Sequence, residues 1–538
     1  MPLKVNAGDH ADTAMQEILI AALQNPDAFD HPVGEISVLE THISWVILTG
    51  EFAYKIKKAV DFGFLDFSTL EKRHYYCQEE LRLNRRFAAD LYLEVVSVTG
   101  SIDRPVLRGS GEPIEYAVRM RQFPQQDLLS NIVACHGLEA AHIDEIVGLL
   151  ADLHARVDVA GPATDYGRPD DIHHWVMENF GHIRPALAAA EQLAQLRRLE
   201  DWCTQEFRNR RSLIQARKHN GFVRECHGDL HLGNLALIDG RITPFDCIEF
   251  NPQLRWIDVI SEAAFLTMDL EDRGYPGLAY RFLNGYLQRS GDYEGVGLLR
   301  YYLVYRALVR AKVAILRLGA VAGDADAGRE AREEYESYRG LARQYAELRR
   351  PALIITHGLS GSGKSWYATQ LVEQLGALQL RSDVERKRLF GYHAQAATGS
   401  GIGTGIYTAE AGVRTYERLA EVACRIIDAG YPVIVDAAFL KQAQRERFRQ
   451  LAAELGAPFV LLHFEADIDT LRRRIGLRRQ AGRDPSEAGL AVLEAQLLSQ
   501  EPLQSDERGA VVTVRQDMPL EALVRELSGG ITGADSGR

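Results

Sequence analysis

The sequence predicts an α+β domain followed by an α/β domain with a parallel five-strand sheet and helices on both faces. Three observations lead there. His227-Gly228-Asp229-Leu230-His231-Leu232-Gly233-Asn234 precedes two apolar runs joined by Asp239-Gly240, a strong hairpin signal, and Asp246 follows directly. The apolar run 352–357 passes straight into Gly358-Leu359-Ser360-Gly361-Ser362-Gly363-Lys364-Ser365 and then into a helical pattern. Beyond it, strand signals at 378–381, 433–435, 459–463 and 511–514 alternate with helical periodicity, the pattern of a parallel sheet.

A chain of 538 residues is too long for one core. We divide it into a helical extension (1–34), a first module (35–350), a second module (351–528) and a disordered tail (529–538), with Pro351 as the boundary. The composition, 46% hydrophobic and 25% charged, is that of a globular protein. A net charge of -12 argues against general nucleic-acid binding, which depends on attraction to phosphate. The six cysteines are scattered without a C-x-x-C pair, so reduced thiols and a cytoplasmic location are expected. Cys226 and Cys247 read as small apolar fillers. Residues 1–12 lack a signal-peptide pattern. The longest apolar region, 301–321, is interrupted by Arg306, Arg310, Lys312 and Arg317, which makes it a buried amphipathic helix and not a membrane span.

Within the first module, 14–24 has helical periodicity, and 36–48 and 52–57 read as two strands around a tight turn. Lys55 and Lys57 fall on one face of the second strand, because side chains alternate with period two. Residues 68–87 form a charged helix opened by Ser-Thr-Leu-Glu, a capping-box pattern; it carries Glu79 and Glu80. Residues 117–123 alternate and then meet Pro124. From 127 to 217 the pattern is helical. His154, His173 and His174 read there as packed residues, not metal ligands. The hairpin after residue 234 places Asn234 at its start and Asp246 just past its end, so both can converge beside Asp229. Asp258 either braces this loop or lies on a solvated helix face. The segment 328–350, dense in charge, is expected to be an exposed connecting helix.

Asp229-x-x-x-x-Asn234 preceded by His-Gly, with Asp246 after the hairpin, resembles the aminoglycoside phosphotransferase and choline kinase superfamily, which has the protein-kinase-like bilobal fold. The likeness spans about 35–345. It implies transfer of a phosphoryl group from ATP to a small-molecule hydroxyl. By the resemblance Asp229 is the base, Asn234 and Asp246 bind Mg2+, Lys55 (with Lys57 as runner-up) holds the nucleotide phosphates, and Glu80 fixes that lysine. The segment after Phe123 would carry the adenine. The chain departs from the pattern of regulated protein kinases. Gly228 replaces their arginine, and Asp246-Cys247-Ile248 lacks a Phe-Gly. Glu249 stands near the metals without an assigned role. No acidic pocket for a polycationic antibiotic is legible.

Residues 358–365 form a complete Walker A loop between a strand and a helix, the context of an α/β P-loop NTPase domain. Gly358, Gly361 and Gly363 let backbone N–H groups of Ser360 and Ser362 turn toward phosphate; Lys364 reaches the β/γ-phosphates and Ser365 the magnesium. Asp383 ends the second strand, and Asp436 ends another in a Walker B-like position. Arg474 and Arg478 lie one turn apart on a basic helix, 472–483, suited to a lid. Over 352–515 this half resembles the zeta-toxin, gluconate-kinase and polynucleotide-kinase-like group, whose lid pattern matches Arg474, Arg478 and Arg483 to Ala488. That likeness makes Asp383 a general base; read on its own, Asp383 also fits a helix N-cap. The glycine-rich 396–407 is expected to be a mobile substrate loop.

Two Mg-ATP sites on one chain predict a bifunctional kinase with small-molecule hydroxyl acceptors and no membrane partner. Two alternatives stand beside it. One is a nucleotide-binding regulatory protein with one inactive module. The other is a second module acting on a nucleotide-sugar or a nucleic-acid 5′ end, for which Arg386, Lys387 and Arg388 would form a local patch. Neither acceptor nor the oligomeric state is legible.

Overall fold

The computed structural model describes residues 7–532 except 64, 136, 321–323, 348–349, 395, 397, 401–402, 482–485 and 517. Packing divides the chain into two compact units. One comprises 1–142, 152–186 and 214–269; the other comprises 143–151, 187–213 and 270–538.

The first unit is built on β1 (Ser37–Glu40), β2 (Ser44–Leu48), β3 (Phe52–Lys57), β4 (Tyr92–Ser101), β5 (Arg104–Leu107) and β6 (Glu115–Arg121). They form an antiparallel sheet in the order β1-β2-β3-β6-β4-β5. The expected single strand 36–48 is broken in two. Thr41 accepts from the Ser44 N–H at 2.9 Å through its hydroxyl, a side-chain turn that competes with the ladder. The helix Leu70–Asn84 packs beside β4 and β6. Its cap is Thr69, whose hydroxyl accepts from the Lys72 N–H, one residue later than the Ser68 cap the sequence suggested.

The N-terminal helix Ala7–Ala22 is not a detached extension. Leu19, Ile20 and Leu23 are buried with Trp45, Ile47, Tyr54 and Val98 in the sheet's core. Gln16 donates to the Lys57 carbonyl at 3.1 Å and accepts from the Ala59 N–H at 2.7 Å, pinning the end of β3.

Next come β7 (Val223–Glu225), β8 (Leu235–Ile238), β9 (Arg241–Pro244) and β10 (Trp256–Asp258); β7 pairs with β10 and β8 with β9. Asp239 and Gly240 both take positive φ, 51° and 75°, the conformation a two-residue hairpin turn requires.

In the second unit, β11 (Ala352–His357), β12 (Leu378–Arg381), β13 (Pro432–Asp436), β14 (Phe459–Phe464) and β15 (Val511–Val514) form the expected parallel sheet, in the order β12-β13-β11-β14-β15. The helix Ala325–Glu347 is not exposed all round. Ala331, Tyr335, Tyr338, Ala342 and Tyr345 recur every three or four residues and are buried, and the helix packs along Val296–Ala320; only the opposite face is solvated. The last helix runs Leu520–Thr532, so the expected tail from 529 begins as helix, and 533–538 lie outside the described residues. Among the described residues no helix is long and apolar enough to cross a membrane, and all six cysteines are free.

Candidate active sites

In the first unit two lysines from β3 meet one glutamate. Lys55 Nζ lies 2.9 Å from Glu80 Oε1, and Lys57 Nζ lies 2.7 Å from Glu80 Oε2. Each lysine has a second acid: Lys55 pairs with Asp246 and Lys57 with Glu249. Glu79 turns away, to Arg82 and Arg255. Glu80 is fully buried. Burial alone would raise its carboxyl, but the two ammonium groups hold it at about 2. Burial likewise works against the Lys55 charge, yet Asp246 and Glu80 outweigh it and keep Lys55 protonated well above the ordinary lysine range. Glu249 goes the other way despite touching Lys57: burial, with Glu80 and Asp246 near, pushes it up.

The helix that carries Glu80 also places Asp246. Asn84 donates to the Glu80 carbonyl at 2.8 Å and accepts from the Cys247 N–H at 3.0 Å. The Asp246 N–H donates to the Tyr92 hydroxyl at 3.0 Å. Asp246 is held at φ 61°, a left-handed conformation unfavourable for a residue with a side chain.

The loop 227–234 is fixed from behind. His227 is fully buried, and burial depresses its pKa, so its ring is neutral. Nε2–H donates to the Phe245 carbonyl at 2.8 Å, and Nδ1 accepts from the Asp229 N–H at 3.3 Å. Asn234 Nδ2 donates to Asp229 Oδ2 at 3.0 Å and to the Asp229 carbonyl at 2.9 Å. That leaves its Oδ1 as the atom it could offer to a metal. Phe245 N–H donates to the Asn234 carbonyl at 3.0 Å, closing the hairpin so that Asn234 and Asp246 sit at its common end. Asp229 is part-exposed, with His231 Nε2 3.5 Å from Oδ2. The Gly233 N–H donates to His231 Nδ1, which leaves Nε2 as the ring's N–H facing Asp229.

Two acids to which the sequence assigned no role hold this loop. Buried Glu262 accepts from the Gly228 N–H at 2.6 Å and pairs with His154 Nε2 at 2.9 Å. Buried Asp269 accepts from the Leu232 N–H at 2.8 Å. They stand seven residues apart on one helix, two turns along one face, a spacing that could have flagged them. Asp258 instead forms a bidentate pair with buried Arg217, at 2.7 and 2.8 Å, and does not reach the loop. His154, Cys226 and Glu262 come within 4.8 Å of one another, but the His154–Glu262 hydrogen bond makes this a clamp.

In the second unit Gly358, Gly361 and Gly363 all take positive φ, at 152°, 83° and 100°. A Cβ on Gly361 would lie 3.0 Å from the Leu471 carbonyl, and one on Gly358 3.0 Å from the Phe464 carbonyl. The helix Lys364–Leu375 starts directly after the loop. Lys364 Nζ donates to the Leu359 carbonyl at 2.7 Å and lies 3.4 Å from Ser362 Oγ. Burial lowers Lys364 to about 8, although Asp436 and Asp383 pull the other way. The Ser360 N–H donates to Gln496 Oε1 at 2.8 Å. Ser365 hydrogen-bonds Asp436, whose carboxyl burial pushes up. The pair forms a set of hard oxygens at the head of the loop, a fit for magnesium.

Asp383 is the second residue of the helix Ser382–Leu389 and is not its N-cap; that position is Arg381. Arg474 lies over the loop, 3.5 Å from the Gly361 carbonyl. Arg478 donates to the Ala488 carbonyl at 2.5 Å. The expected lid residues Arg483 to Pro485, and parts of the glycine-rich segment 396–407, lie outside the described residues. Ser486 to Ala488 are described, and Glu487 accepts from the Thr398 N–H at 2.8 Å.

The first unit thus carries a β-sheet lobe with a Lys–Glu pair beside an Asp/Asn loop, and the second a parallel sheet with a phosphate loop. The AAA domain family matches residues 353–503. Among solved structures, the amicoumacin kinase hAmiN in complex with AMP-PNP, Ca2+ and Ami is 12% identical with a TM-score of 0.39, over 62% of this chain and 95% of that one. A gluconokinase from Sinorhizobium meliloti 1021 is 22% identical with a TM-score of 0.25, over 35% of this chain and 94% of that one. The Mycobacterium tuberculosis (strain ATCC 25618 / H37Rv) protein named "Uncharacterized protein Rv2004c" is 31% identical over 470 residues, 86% of this chain and 91% of its own. An identity sustained over nearly the full length of both proteins means that the chain belongs to the family of Rv2004c.

Proposed function

We propose that the protein is an ATP-dependent phosphotransferase with two separate Mg-ATP sites, each moving the γ-phosphoryl group to a hydroxyl of a small, sugar-like or aminoglycoside-like molecule. The observation that supports this best is the duplicated set of groups such transfer needs. Residues 35–350 offer Lys55, Asp229, Asn234 and Asp246; residues 351–528 offer Lys364, Ser365, Asp383 and Asp436. In the first module Lys55, positioned by Glu80, binds the nucleotide phosphates. Asp229, with Oδ2 oriented by Asn234, accepts the proton of the attacking hydroxyl. In the second, backbone N–H groups of the glycine loop and Lys364 hold the β/γ-phosphates, Arg474 and Arg478 close over them, and Asp383 orients the acceptor. Asn234 and Asp246 would hold magnesium in one site, and Ser365 and Asp436 in the other, where it would neutralise charge on the transferred group. Free thiols and ATP dependence fit a cytoplasmic enzyme.

The test is ATP consumption by the purified chain against a panel of hydroxyl-bearing metabolites, repeated with Asp229→Asn and Asp383→Asn. The reading expects each change to abolish turnover with a different acceptor. Unchanged turnover in both variants would overturn it.

A further inference from the structure

Gln379 lies on β12, the edge strand of the parallel sheet, and is 1% exposed. Its neighbours Leu378 and Leu380 are buried on the opposite face, as alternation requires. A strand buried this deeply has no need of an amide, yet both ends of this one have polar partners. Nε2 donates to Asp436 Oδ2 at 3.0 Å. Oε1 accepts from Gln288 Nε2 at 3.4 Å and lies 3.3 Å from the Thr369 hydroxyl, which also donates to the Ser365 carbonyl at 2.9 Å; Asp436, an acceptor, takes the Nε2 end of the amide. The Gln379 backbone N–H, on the open edge of the sheet, donates to Asn284 Oδ1 at 2.8 Å.

Gln288 and Asn284 belong to the helix Pro276–Ser290, which precedes the Pro351 boundary. The same helix is held at two further points. Arg281 pairs with Glu373 at 2.8 Å, and Arg388 donates to the Gln288 carbonyl at 2.5 Å. It therefore touches the helix after the phosphate loop, β12, and the helix that carries Asp383.

We propose that Gln379 is a positioning residue for the second site, held in place by a helix from the first module's stretch of chain. Oδ2 of Asp436 is held by Gln379, which fixes the carboxylate that, with Ser365, would hold magnesium. Asn284 and Gln288 set the position of that amide, so the metal site of the second module is completed from outside 351–528. This rests on reading 358–365 and Asp436 as a Mg-ATP site.

The experiment is calorimetric ATP binding to the full chain in an Asp246→Asn background, with Mg2+ and again in EDTA. Gln379→Met, close in shape but without the donor, is expected to weaken Mg-ATP about tenfold or more, the usual cost of losing a ligand's orienting partner, and to leave ATP affinity in EDTA unchanged. Gln288→Ala with Thr369→Val, which free Oε1 without touching the sheet, should give a smaller loss of the same kind. If Gln379→Met does not fold, this pair decides the question. Equal losses with and without Mg2+, or Mg-ATP affinity within twofold of the parent, would overturn the proposal. If the parent itself shows no Mg2+-dependent binding, the site reading fails and takes the proposal with it.

Discussion

Replacing Glu80 by glutamine tests the charge network of the first module. The fold holds the Glu80 carboxyl at about 2 against an ordinary 4.5. At ~1.4 kcal/mol per pKa unit, that depression corresponds to about 3 kcal/mol of stability. Structure gives a similar figure by another route. Removing one partner of a buried ion pair costs about 3–5 kcal/mol. Glu80→Gln falls at the low end, because Lys55 keeps Asp246 and Lys57 keeps Glu249. The sign follows from the depressed pKa: the stabilisation is fully present above about pH 4.5 and is lost as pH falls toward 2. Denaturant unfolding should therefore find the variant about 3 kcal/mol less stable at pH 7, with the gap to the parent closing between pH 4.5 and 2. A gap below about 1 kcal/mol at pH 7, or one that does not change with pH, would refute this account of the network.

Three further outcomes are expected. Glu262→Gln removes the charge from the acceptor that holds the Gly228 N–H and His154, so turnover at the first site should fall about tenfold or more while ATP affinity changes little, as steady-state kinetics would read. Gly361→Ala introduces a Cβ against the Leu471 carbonyl at φ 83°, so ATP binding at the second site should weaken by about tenfold or more while the first site binds normally, read by titration calorimetry. Burial pushes Glu271 up to about 7, with Tyr345 donating to it. A raised acid pKa means that the folded chain binds the extra proton, so stability falls as pH rises from about 4.5 to 7. Glu271→Gln should remove that slope and stabilise the chain at pH 8 more than at pH 5, by at most about 3 kcal/mol as read by denaturant unfolding.

Much of this molecule is legible locally. Asp239-Gly240 specifies its hairpin because so few residues tolerate two positive φ values in succession. Residues 352–375 specify strand, loop and helix through an apolar run, three glycines and a lysine. Apart from the local break at 41–44, what stayed hidden depends on partners far away in the chain. The break at 41–44 turns on one hydroxyl competing with a strand that β-branched residues favour. The helix Ala325–Glu347 reads as solvated because its charges outnumber its tyrosines, and only its neighbour shows that the tyrosines form a buried face. Glu262, Asp269 and Gln379 look like ordinary polar residues; they matter because 226–234 and β13 are folded against them. The lysine choice stayed open for a related reason: period two puts Lys55 and Lys57 on one face, and only the positions of Asp246 and Glu249 distinguish them.

The most direct measurement of the central claim is the stoichiometry of Mg2+-dependent ATP binding to the full chain by equilibrium dialysis. Two nucleotides per chain are expected, falling to one with Lys55→Met, to one with Lys364→Met, and to none in the double variant. A single nucleotide that survives either substitution alone, or none at all in the parent, would contradict two independent phosphoryl-transfer sites.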